Sequence, residues 1–420
     1  MLRRLRDWEW RGRQAYRRAW KHEEANTRYL YKEIAWFGVL SGLAGSFLSV
    51  FVLRLGGANN LIGLLTSLPA LITILWLVPA GRIIERQPSR LRVVLITGVL
   101  MRLAYLLVAL VPLLFVAFRA EAVVAVVVLG TIPASMSIVA FSAMMAEIVP
   151  VQRRARVVGL RNFLVSVSST LAVLLGGWFL ELVPFPANFQ WLFAAGFLTS
   201  LVSIYYLGRL KVPDGAGPAA PVDGPRTPLM RRLRDHLAML SGNRPFARFA
   251  LCAFAYHWGL YLTIPLYSIY WVRHLHASDS WIGFIAMVLG AVTALAYPFW
   301  GQQASRRGTR KVLLVSAFAG IFYPILTGLS PSVEPLLIAA VVGGVASAGF
   351  GLSLFNRLLE VTPDERRPSF LAAYNVLINI AVFVAPMIGT ALIGSIGIVN
   401  ALLLGGLLRF AGFLAFARYA

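Results

Sequence analysis

The chain has 420 residues, of which 59% are hydrophobic and 13% charged, with a mean hydropathy of +0.74. That balance excludes a soluble globular domain, whose water-facing surface needs far more polar side chains. The formal charge of +22 would suit a nucleic-acid partner in a soluble protein, but the placement of the basic residues excludes this too.

A helix needs about 20 predominantly apolar residues to cross a hydrocarbon core roughly 30 Å thick. Twelve such stretches follow in order: 33–54, 60–80, 93–117, 121–147, 157–181, 188–208, 247–271, 280–300, 311–329, 333–357, 369–394 and 397–417. Residues 1–32 are basic and aromatic with no apolar run, so no cleavable signal is expected. This segment holds 10 Lys and Arg, and the even-numbered loops with the adjoining helix ends hold another 23. The odd-numbered loops hold three, Arg54, Arg119 and Arg273, while Arg102 falls inside span 3 and Arg409 and Arg418 in or after the last. Positive residues in short loops stay on the cytoplasmic side, so both termini are expected there, in a multi-pass protein of the cytoplasmic membrane. The charge is thus mainly topology, with a lesser attraction to anionic lipid.

Lys211–Pro228 is rich in Pro, Gly and Ala and breaks the series after six spans, as a flexible linker would. Leu229, Leu233, Leu237 and Leu240 then recur among Arg and His residues. They fit an amphipathic helix lying on the membrane or packed on neighbouring loops. Four segments are expected: a cytoplasmic segment 1–32, a six-helix bundle 33–210, a cytoplasmic linker 211–245, and a second bundle 246–420. Cys252 is the sole cysteine, which excludes an intrachain disulfide and Cys-rich metal sites.

The two bundles repeat one another. Leu55, Ile62, Gly63 and Gly81 pair with Leu275, Ile282, Gly283 and Gly301 at an offset of 220. Glu147, Pro150, Arg153, Arg154 and Asn162 pair with Glu360, Pro363, Arg366, Arg367 and Asn375 at 213. With six spans each, the copies run parallel, related by an axis along the membrane normal. The loop after span 2 begins at Gly81 and carries Glu85, Arg86, Pro88 and Arg90; its second copy carries Gly301, Ser305, Arg306 and Gly308.

On these features the chain resembles the major facilitator superfamily in span count, long middle loop and duplicated signature loop. Glu85 stands where the family usually has Asp, Pro88 where it has Gly, and Ser305 removes the acid from the second copy. A charge-based latch is therefore expected at the first copy, from Glu85 with Arg86 or Arg90 and Glu147 with Arg153 or Arg154, beside plain topology charge. Glu360 and Arg366 are their counterparts. The resemblance implies an all-α fold of twelve helices in two bundles around a cavity lined by spans 1, 4, 7 and 10. Ser41, Ser46, Met136, Ser137, Ser347 and Asn356 are then cavity candidates, with close helix packing as the alternative. The Arg motif often found in span 4 of proton-driven members is missing.

Polar groups deep in a span are costly and usually have a reason to be there. No carboxylate is expected mid-span: Glu33, Glu147 and Glu360 are placed near cytoplasmic ends and Glu181 near an outer end. Arg102 contacts either an anionic solute or carbonyls of neighbouring helices, and the resemblance, which makes span 3 peripheral, favours the latter. His257 in span 7 has Tyr261 one turn on, with Tyr256 and Trp258 adjacent. The His either binds solute and couples transport to protons, or is a bonded core residue. Asn375 and Asn379 share a face of span 11, which suits hydrogen bonds between helices.

An aromatic, uncharged cavity suits a neutral or amphipathic organic solute. The expected function is alternating-access secondary transport, possible in the efflux direction, by a monomer without catalytic activity, cofactor or metal. No GxxxxGK[ST] phosphate loop is present to power a pump. A lipid or lysolipid translocase and a non-transporting receptor share these features.

Overall fold

A computed structural model of the protein describes residues 2–85, 87, 89–212, 243–363 and 367–419. The expected amphipathic helix with Leu229–Leu240, together with Arg86 and Arg366, lies outside the described residues. The described chain forms α1 (Leu2–Arg54), α2 (Asn59–Glu85), α3 (Arg90–Leu114), α4 (Arg119–Ile148), α5 (Val151–Leu182) and α6 (Ala187–Gly208). The second set is α7 (Arg244–Ile269), continued by a π-turn (Tyr270–His274), then α8 (Asp279–Arg307), α9 (Thr309–Leu329), α10 (Leu336–Val361), α11 (Arg367–Ile396) and α12 (Ile398–Tyr419). Twelve of these segments are long and apolar enough to cross a membrane. Helices are required because hydrocarbon offers no partner to a free N–H or C=O.

The first helix starts earlier than the apolar stretch that marks it. Its candidate span is Glu24–Arg54, because no proline stops the helix within the basic segment. Its entry is tied to the end of α6 by a two-way bond: Asn26 Nδ2 donates to Lys211 O at 2.8 Å, and Lys211 N donates to Asn26 Oδ1 at 2.9 Å. Other helix starts carry their own caps. Ser89, Asn243 and Ser278 accept from the amides of Arg92, Phe246 and Trp281, satisfying donors that a helix start leaves free.

Packing follows the repeat helix by helix. In the first half α1 packs on α5 and α6, α2 on α4, and α3 on α4 and α6. In the second, α7 packs on α11 and α12, α8 on α10, and α9 on α10 and α12. The halves meet through α5 against α8 and α2 against α11, two contacts that the repeat exchanges.

Those two contacts explain one of the repeated glycines. A Cβ on Gly283 of α8 would stand 2.9 Å from Val173 O and 3.1 Å from Gly177 Cα of α5. A Cβ on Gly63 of α2 would stand 2.6 Å from Thr390 Oγ1 and 3.2 Å from Pro386 O of α11. The pair Gly63 and Gly283 is thus a repeat-related device that brings backbones of opposite halves together. By contrast, nothing lies within 4 Å of a Cβ at Gly81 or Gly301.

Gly283→Val should therefore lower the thermal midpoint of the detergent-purified protein, the overpacking costing about 1–3 kcal/mol. Gly81→Ala should leave it unchanged. Equal midpoints for the two variants would contradict the close α5–α8 contact.

Candidate functional site

At the face away from the chain ends, polar side chains bond the halves together. Arg54, closing α1, donates to Ala277 O at 2.9 Å and pairs with Asp279 Oδ1 at 3.1 Å. Arg273, in the π-turn after α7, donates to Asn59 Oδ1 and to Gly57 O. Glu181 of α5 accepts from the Ser280 hydroxyl at 2.6 Å and from its amide at 3.2 Å.

At the terminus-bearing face two ion pairs each join groups of one half. Arg90, at the start of α3, pairs with Glu147 near the end of α4. The pair takes one member from each of the two adjacent loops that carry the latch candidates. The repeat copies it with a change of chemistry: Glu360 accepts from the Thr309 hydroxyl at 2.7 Å and pairs with Arg357 at 2.9 Å. Nothing is described of the Glu85 side chain. Arg153 and Arg306 are exposed, Arg154 donates to Val149 O at 3.3 Å, and Gly308 takes φ +84° between α8 and α9.

Inside the first half a chain of polar groups runs through four helices. Arg102 donates to Gly98 O and to Ser203 Oγ, both at 2.9 Å, and lies over the Phe37 ring. Ser203 donates to Glu33 Oε1 at 3.1 Å, and Arg161 pairs with Glu33 Oε2 at 2.8 Å while donating to Leu30 O at 3.0 Å. Arg161 also covers the Phe141 ring. Glu33 is only 4% exposed and lies in the terminus-side third of the candidate span Glu24–Arg54. Arg102 reaches one turn back toward the terminus face and into protein acceptors, as an arginine bracing α1, α3 and α6 does.

The second half holds a different arrangement. His257 is buried, and its Nδ1 lies 2.6 Å from Ala253 O. A carbonyl only accepts, so Nδ1 carries the hydrogen and the neutral ring keeps Nε2 as an acceptor. Its ring lies 5.8 Å from Tyr261 and 5.9 Å from Phe350. Tyr261 and Trp258 are half-buried, whereas Tyr256 is committed to the bundle, its hydroxyl on Ala317 O and its ring stacked on Phe350. Ser41 of α1 and Ser347 of α10 are exposed mid-helix. Ser46, Met136 and Asn356 are half-buried, and Ser137 faces α3 beside Gly98 and Arg102. The Asn379 amide donates to Asn375 O of its own helix at 2.8 Å, where an interhelical bond is the sequence expectation.

Arg409 of α12 escaped the sequence reading as a site. It donates to Gly320 O at 2.7 Å, Thr263 Oγ1 at 2.8 Å and Tyr267 OH at 3.0 Å, bracing α7, α9 and α12 without a carboxylate. Its signal was the one that drew attention to Arg102, a charge inside an apolar span. On the flank of the first half, Val39, Leu43, Leu175, Phe179 and Trp191 line an almost entirely apolar groove of about 570 Å³ between α1, α5 and α6. Its lining gives little polar surface to orient a solute.

Two repeat-related copies of six spanning-length helices, packed through α5 on α8 and α2 on α11, define a multi-pass membrane protein. The chain belongs to the Major Facilitator Superfamily, whose family model matches residues 34–254 and 249–420. It is 24% identical over 259 residues to the staphyloferrin B transporter of Staphylococcus aureus, covering 60% of this chain and 59% of that one. It is also 33% identical over 116 residues to the multidrug export protein EmrB of Haemophilus influenzae, covering 27% and 22%, and 32% over 115 residues to the staphylopine export protein of S. aureus, covering 26% and 28%. The matched regions thus span between about a fifth and three-fifths of these relatives. Among solved structures, the xylose transporter XylE from E. coli aligns with TM-score 0.69 at 15% identity, covering 96% of both chains. The nucleoside transporter NupG aligns at 0.67 and 14%, covering 95% of this chain and 100% of that one. These likenesses establish the fold.

Removing one partner of a buried ion pair costs about 3–5 kcal/mol, because the other charge is left alone. Glu33→Gln should accordingly lower the thermal midpoint sharply, and adding Arg161→Gln should recover part of the loss. Additive losses in this cycle would show that the two residues do not act as a pair.

Proposed function

We propose that the protein is an alternating-access secondary carrier that exports a small neutral or amphipathic organic solute across the cytoplasmic membrane. The observation that carries this reading is that two repeat-related bundles are joined by a set of side-chain hydrogen bonds at the face away from the chain ends. A carrier needs such a contact set to be breakable at one face while a second set forms at the other. The basic residues of the first segment and of the even-numbered loops support cytoplasmic termini. The bonded face is then the outer one. Export is supported by the printed names of two relatives, a multidrug export protein and a staphylopine export protein.

Solute contact falls to the exposed Ser41 and Ser347 and to the half-buried Trp258 and Tyr261, with His257 presenting its Nε2 acceptor. These groups are polar enough to orient a solute and carry no fixed charge. Residues 33–210 and 246–420 move as the two bundles, the chain works as a monomer, and its basic loops contact anionic lipid.

The test is flux in proteoliposomes, with a panel of neutral, cationic and anionic amphipathic solutes and no ATP. Saturable movement of a panel member supports the carrier, and binding without movement of any solute overturns it. In the same liposomes His257→Ala should cut flux by up to about tenfold, the worth of one hydrogen bond to a solute, and abolish any dependence on a pH gradient. Unchanged flux with unchanged pH dependence would take His257 out of the pathway.

A further inference from the structure

The bonds at the outer face obey the internal repeat atom for atom. Adding 220 to Gly57 and Asn59 gives Ala277 and Asp279. Arg54 bonds the carbonyl of Ala277 and the side chain of Asp279, while Arg273 bonds the carbonyl of Gly57 and the side chain of Asn59. Each arginine closes the first helix of its own half, and each reaches the loop that leads into the second helix of the other.

Arg273 follows Arg54 by 219 residues, one fewer than the loops do. The same count of 219 pairs Leu43, Phe47, Val50 and Phe51 with Leu262, Leu266, Ile269 and Tyr270, all of them buried. The extra residue is taken up at the π-turn Tyr270–His274, the usual way an insertion is housed in a helix without unwinding it. That turn therefore keeps the second arginine in register with the first.

We propose that Arg54 and Arg273 are the two arms of one duplicated clamp that holds the outer face shut, and that only the Arg54 arm makes the closure sensitive to ionic strength. The arms differ in charge. Asp279 gives the Arg54 arm an ion pair, where Asn59 gives the Arg273 arm a neutral acceptor. Glu181 adds a second acid to the first arm through Ser280, and the repeat places Gly394 and Asn60 at those positions. The Arg54 side chain is 33% exposed and that of Asp279 11%. Salt reaches such a pair and weakens it, whereas a hydrogen bond to a neutral amide loses little. A closure made of a few individually weak contacts can break and re-form within a transport cycle, which a single buried ion pair would resist.

The idea rests on the carrier reading for why the face must open, but its test reads the face itself, without solute or flux. Spin labels at Val116→Cys and Ser332→Cys, in a Cys252→Ser background, sit in outer loops of opposite halves; Val116 is 93% exposed and neither label touches the clamp. Arg54→Gln and Arg273→Gln should each raise the open fraction about two- to fivefold, the range of an exposed polar contact. Raising salt from about 0.05 to about 1 M should open the unsubstituted protein and Arg273→Gln, but leave Asp279→Asn unmoved. The exchange Arg54→Asp with Asp279→Arg should close the face again and separates loss of the clamp from loss of folding. Unchanged distances in both arginine variants, or a salt response that survives Asp279→Asn, would overturn the proposal. Neither result bears on flux, so the carrier reading would stand or fall separately.

Discussion

Hydrocarbon cannot accept or donate a hydrogen bond, and every feature of this protein follows from where its polar groups find partners instead. Backbone groups find them inside helices, which makes the chain a set of twelve candidate spans. Buried side chains find them on neighbouring helices, so each intramembrane charge becomes a brace. Arg102 and Arg161 converge on Glu33 through Ser203 and a direct ion pair. Arg409, without an acid, collects a carbonyl and two hydroxyls. The Arg54–Asp279 contact between the halves is partly exposed, where water can take over freed groups at little cost.

The repeat gives the halves one architecture and unequal chemistry. Counting along the repeat, Cys252 and Tyr374 occupy the places of Glu33 and Arg161, so an ion pair in the first half is replaced by apolar and aromatic packing in the second. The pair Arg90 with Glu147 becomes Glu360 with Thr309 and Arg357. The first half is thus braced by charge, while the second gathers aromatic rings around His257.

The architecture was legible in the sequence because its signals are long and periodic. Apolar runs of spanning length, the basic residues of alternate loops and two constant offsets required no knowledge of contacts. Gly63 and Gly283 were readable as a repeated pair, though only the structure assigns them to the contacts between halves. The sites were less legible, since a side chain's partner depends on neighbours far along the chain. Glu33 was readable as lying near the terminus-side end of its span, but its burial and its partners Ser203 and Arg161 were not. Arg54 and Arg273 read as isolated loop charges, because their partners lie more than 200 positions away. Arg102 was visible as an expense, but its hydroxyl partner on α6 was not.

The central claim is that the two bundles open one face as they close the other. It is tested most directly by measuring both faces in one preparation, with spin-label pairs at Val116 and Ser332 on the outer side and at Gln87 and Arg307 on the terminus side, all exposed positions. Across solute and salt conditions, the account predicts opposite changes, the outer distance lengthening as the inner one shortens. Distances that lengthen together, or an inner distance that stays fixed while the outer one changes, would contradict it.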